Sequence, residues 1–148
     1  MVNEGRSAPG GFSDLSPRPG GGWALAGRKG EIHLFSQHGR GIRRVDSGPV
    51  RRLVGWLDRE HLLWQDPEGH LWCGRLTGED RKRKLEERSW SWCSTLSQGR
   101  LLLQSSDGGL WEGVPHPFGW DMLNHLEHES LEPMSAVRRG DGWWGLGS

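Results

Sequence analysis

His125, Glu127 and His128 come closest in this chain to a metal-ligand spacing, with His116 a short distance upstream. A zinc-type site needs these donors to converge on one point. On a strand, His125 and Glu127 share a side while His128 faces the other, so convergence is poor and no metal is expected. The nucleophile elbow Gly-x-Ser-x-Gly, the Walker phosphate loop and the helical His-Glu-x-x-His pair are all missing from the sequence. Cys73 and Cys93 are the only cysteines, and neither has Cys-x-x-Cys spacing. They read as small apolar strand residues rather than as ligands, redox partners or a disulfide framework. The expectation is a non-enzyme with no catalytic residues, no cofactor and no metal.

Binding chemistry is easier to find. Arg40, Arg43, Arg44, Arg51 and Arg52 fall close together with only Asp46 opposing them, and they are candidate partner-binding residues. A second basic run, Arg81 to Lys84, is flanked by Glu79, Asp80, Glu86 and Glu87, which cancel most of its long-range field. That run reads first as solvated edge charge, which discourages unwanted strand pairing, and second as a targeting or anion-binding patch. The 19 basic and 19 acidic residues balance, so no chain-wide field for nucleic acid or a membrane surface is expected. No segment approaches the ~20 apolar residues of a spanning helix, and the amino-terminal residues lack the apolar core of a signal peptide. A cytoplasmic or nuclear protein follows as the expectation.

The elements that must carry these residues show themselves through repetition. HLLWQDPEGHLWCG (61–74) lies over RLLLQSSDGGLWEG (100–113) at an offset of 39. Leu71 and Trp72 thereby match Leu110 and Trp111, and Gly69 matches Gly108. GGWALAGRKGEIHLF (21–35) occupies the same frame one period earlier, and DGWWGLG (141–147) resembles its opening. Each unit reads as strand, turn, strand, glycine turn, strand, because short apolar runs alternate with turn residues. The second turn repeats a glycine because hairpin turns often need a positive φ. The Leu-Trp pair is expected to repeat because each unit fills an equivalent packing slot, which makes Leu71, Trp72, Leu110 and Trp111 the candidate repeat core. With 10 tryptophans, each able to bury ~150–250 Å², a packed chain is expected. VPHPFGWDMLN (114–124) reads as a longer loop before an outer strand at 125–130, with His116, Phe118 and Trp120 as candidate contacts.

A period near forty, with a tryptophan in the third strand, resembles the blades of divergent WD-repeat-like β-propellers. The Trp-Asp and Gly-His dipeptides of that family are missing, since Cys73 follows Trp72 and Glu112 follows Trp111. The resemblance implies an all-β chain of about three and a half four-stranded propeller-like blades, with a ring not closed within the chain. It divides the sequence into a flexible segment 1–12 and a partial propeller 13–148, in units 13–49, 50–89, 90–133 and an incomplete 134–148. It further implies a fragment or short isoform of a longer propeller, acting as a protein-interaction scaffold or self-associating through open blade edges. A second resemblance, of SSDGGLW to an Asp-box, would suggest sialidase-like hydrolysis, but that chemistry uses a tyrosine nucleophile and the chain has no tyrosine. The alternative reading is a lectin-like module whose tryptophans stack on sugars.

Overall fold

The computed structural model describes residues 11–79 and 81–126. They form twelve strands in three sheets. The first holds β1 (Phe12–Pro17), β2 (Trp23–Gly27), β3 (Glu31–Phe35) and β4 (Gly41–Asp46). The second holds β5 (Arg52–Trp56), β6 (His61–Gln65), β7 (Leu71–Arg75) and β8 (Arg81–Lys84). The third holds β9 (Trp90–Thr95), β10 (Leu101–Ser105), β11 (Leu110–His116) and β12 (Gly119–His125). Within each sheet the strands pair antiparallel in chain order, as a meander. The described residues are all-β, and their three propeller-like sheets do not close into a ring.

The first strands meet between sheets. Asp14 of β1 accepts a hydrogen bond at 2.7 Å from the Leu53 amide of β5. Arg52 of β5 donates at 2.7 Å to the Cys93 carbonyl of β9. Two apolar layers fill the gaps between sheets. Ala24, Ala26, Ile32 and Leu34 of the first sheet pack on Leu53, Leu62 and Trp64 of the second. Leu63, Leu71 and Cys73, on the opposite face of the second sheet, pack on Trp90, Cys93, Leu101 and Leu103 of the third. The strand alternation of period two thus serves both layers, because the middle sheet is apolar on both faces.

The repeated glycines stand where the turns require them. Gly30, Gly69 and Gly108 have φ of +86°, +94° and +93°, in the left-handed region that side chains disfavour. Gly69 carries a further duty. Its carbonyl accepts the Trp90 amide at 2.8 Å, and the buried Gln65 amide donates to both the Gly69 and Trp90 carbonyls. The turn of one sheet therefore grips the first strand of the next.

Three expectations are corrected. The segment 114–124 is a hairpin, not a loop: β11 runs through Pro115 to His116 and β12 begins at Gly119. Proline fits here because the register shifts between Val114 and Pro115, and a bulge spares the missing amide. The fourth strand is accordingly 119–125, and Phe12 already belongs to β1 rather than to a lead-in. Second, of the proposed repeat core only Leu71 is fully buried; Trp72, Leu110 and Trp111 are half-buried. Trp72 turns its Nε1 to Asp66 Oδ2 at 2.9 Å, and Arg88 lies 4.2 Å from the Trp111 ring, so each indole keeps a polar side. Third, Trp120 is not a loop residue, since it packs on the second apolar layer. Among the described residues the fully buried indoles are Trp64 and Trp90. Residues 134–148, read as the start of a fourth unit, lie outside the described residues.

Candidate functional site

The outer half of the second sheet concentrates cationic side chains on one face. Cross-strand pairing aligns His61, Arg75 and Arg81 in one row and Leu63, Cys73 and Arg83 in the next. Because side chains alternate, Lys82 and Lys84 take the opposite face, where their ammonium groups lie 5.5 and 5.9 Å from the Trp72 ring centroid. Opposite Arg83 stands the turn between β11 and β12, carrying Pro117 and the 72% exposed Phe118. The Arg83 guanidinium lies 5.5 Å from the Phe118 ring centroid, and its Nη1 donates to the Phe118 carbonyl at 3.4 Å. Together these residues enclose a cleft of about 520 Å³.

Its lining mixes basic side chains with the apolar Cys73, Pro117 and Phe118. Burial pushes the Cys73 thiol up to about 12, so the sulfur is a neutral thiol and not a nucleophile. Cys93, also buried, is raised for the same reason. Both should therefore resist a maleimide reagent in the folded protein at pH 7.5 and react only on unfolding, which mass spectrometry with and without denaturant will read. Arg75 pairs with Glu60 at 3.2 Å and Arg81 with Glu79 at 3.0 Å. All four of these side chains are well exposed to solvent, where ion pairs hold weakly and exchange partners readily. Among the described residues no carboxylate pairs with Arg83 or Lys82. His61 is anchored through Nδ1 to Asp58 at 3.0 Å. Partial burial alone would raise the Asp58 carboxyl, but hydrogen bonds from Glu60 and His61 outweigh it and hold the group below the usual carboxylate range.

The residues singled out in the sequence are not brought into one patch. Arg40 lies in the turn before β4, Arg43 and Arg44 lie on β4 itself, and Arg51 lies in the connection to β5. Arg52 is spent on the Cys93 carbonyl. His116 joins Phe118, with ring centroids 6.3 Å apart, but Trp120 faces inward. His125 stacks on Trp111 at 4.8 Å, while Glu127 and His128 lie outside the described residues. His61 and Arg75 were missed. They share a face with Arg81 only through the β6–β7–β8 pairing, which the repeat alone does not reveal.

Asp66, Glu68 and His70 are the group among the described residues with metal-ligand spacing, their donor atoms within 4.8 Å of one another. Asp66 Oδ1 accepts the Glu68 and His70 amides at 3.0 and 2.9 Å, and Oδ2 accepts Trp72 Nε1. The carboxylate is committed to capping the turn, as aspartate commonly is. No protein-family model matches the chain, and no curated protein matches it significantly.

Proposed function

We propose that the chain is a non-catalytic protein-interaction module whose two end sheets each take a further sheet, supplied by a second copy. The observation that supports this is a break in burial along the repeat. Ala24, Ala26, Ile32 and Leu34 are buried by the second sheet, and Leu63, Gln65, Leu71 and Cys73, one period on, are buried by the third. The next positions in that series, Leu102, Gln104, Leu110 and Glu112, are half-exposed. The first sheet shows the mirror of this: Leu62 and Trp64 are fully buried, but Trp23 and Leu25 at the equivalent places are half-exposed. Among the described residues, positions that are covered inside the stack are only half-covered at its ends. Trp92, on the first strand of the third sheet, is 42% exposed beside one of them. Two copies joined at both faces would stack six sheets, within the range at which propellers close.

Sedimentation across a concentration series tests the reading. The mass should rise from monomer to dimer, and Leu102→Glu, which sets a charge on the half-covered face, should weaken the dimer by at least about tenfold. A glycan-binding screen runs beside it. A folded monomer at every concentration that binds a sugar would replace this reading with the carbohydrate-binding one.

A further inference from the structure

We propose that the basic cleft and the free edge of β8 bind an extended acidic peptide by adding it as a fifth strand to the second sheet. This goes beyond the end faces, which are a different surface. Among the described residues the second sheet ends at β8, so one side of that strand has no neighbour in the ladder. Its four residues are all cations, Arg81, Lys82, Arg83 and Lys84. Among the described residues no other outer strand matches this: β4 carries Arg43 and Arg44 beside Asp46, and β12 carries Asp121. A strand added to an open edge gains affinity from its main chain and specificity from alternate side chains. Arg81 and Arg83 stand two residues apart on one face, roughly 6.6–6.8 Å along the strand. Carboxylates at alternate positions of an extended peptide have the same spacing and would fall directly opposite them, the arrangement in which cross-strand charges attract.

The surroundings fit that occupant. Arg75 lies one strand further in, within the same row as Arg81, and Pro117 and Phe118 supply an apolar wall for an intervening side chain. The present partners of the cations are easily displaced. Glu79 and Glu87 are highly exposed, and Arg83 and Lys82 rest on aromatic faces. The charges keep neutral and basic strands off this edge, so they select an acidic one rather than merely blocking all comers.

Fluorescence anisotropy with the full chain and a labelled eight-residue peptide of alternating glutamate and valine tests this. The peptide should bind, and binding should weaken as salt is raised. Arg83→Ala or Arg81→Ala should each weaken it about fivefold, and the double variant about 25-fold. Both side chains are exposed or half-exposed, and circular dichroism verifies that the variants stay folded. The same peptide with its edge-facing amides N-methylated should lose binding, because strand addition needs those donors. Equal binding of the N-methylated peptide, or tighter binding of a single-stranded oligonucleotide or inorganic phosphate, would overturn the proposal. So would unchanged affinity in the double variant.

Discussion

Trp64→Ala will lower the unfolding free energy by roughly 3–5 kcal/mol, the range for deleting a large aromatic from a packed core. Trp64 has no exposure to solvent, and it sits in the layer that joins the first two sheets. Its loss strikes twice: it empties the space between sheets and uncovers the Ala24, Ala26, Ile32 and Leu34 face. For a domain with ~5–15 kcal/mol of total stability, that is a large share. Urea unfolding followed by tryptophan fluorescence will measure it. Among the described residues Trp64 Nε1 has no hydrogen-bond partner, so Trp64→Phe should cost clearly less, since mainly packing volume changes. Trp111→Ala should cost about half as much as Trp64→Ala, because that indole is only half-buried. Equal losses at the two positions would contradict the assignment of Trp64 to the core.

Gly69→Ala will destabilise by roughly 2–4 kcal/mol, whereas Gly108→Ala will cost about 1 kcal/mol. The two glycines share a turn position and nearly the same φ, so the conformational strain of a side chain is common to both. What differs is the space around them. A methyl on Gly69 would lie 2.5 Å from the Trp90 carbonyl oxygen, a backbone atom that cannot swing aside. A methyl on Gly108 meets nothing within 4 Å. The excess at Gly69 measures the grip of one sheet on the next. Thermal unfolding of the two variants side by side will show it, and equal shifts would mean that this junction contributes little.

The repeat made most of the architecture readable. Leu62 and Leu63, then Gly69, then Leu71 and Trp72 mark two strands and the turn between them, and the same marks recur at Leu101 to Trp111. Those are local signals, and the observed hairpins follow them. Burial was less legible because it depends on which neighbour a face meets. Trp64 and Trp72 look alike in the sequence, yet one lies sealed between sheets and the other turns its nitrogen to Asp66. The segment 114–124 read as a loop, yet the bulge beside Val114 lets Pro115 stand in a paired strand, and Pro117 and Phe118 form the turn. The cleft was hidden for a different reason. Arg81 to Lys84 read as neutralised by the acids around them; Arg81 and Lys84 do pair with Glu79 and Glu87, but among the described residues no carboxylate pairs with Lys82 or Arg83. Alternation separates the arginines from the lysines, and His61 and Arg75 join the former only through the sheet.

The glycines within the third strands, Gly74 and Gly113, set a limit on how the repeats could be exchanged. A methyl on Gly74 would meet the Trp64 ring at 2.5 Å, and one on Gly113 would meet the Trp120 ring at 2.6 Å. Each glycine is thus a socket roofed by an indole, but the roof comes from the second strand in one sheet and from the fourth in the other. The position equivalent to Trp64 is Leu103; by strand pairing Arg81 corresponds to Met122, so β8 carries no counterpart of Trp120. A hybrid with the β6–β7 hairpin grafted in place of β10–β11 would put two indoles over one socket, and the reverse graft would leave a socket unroofed. The units are alike in outline but no longer interchangeable parts. Shuffling them would succeed only if socket and roof travelled together.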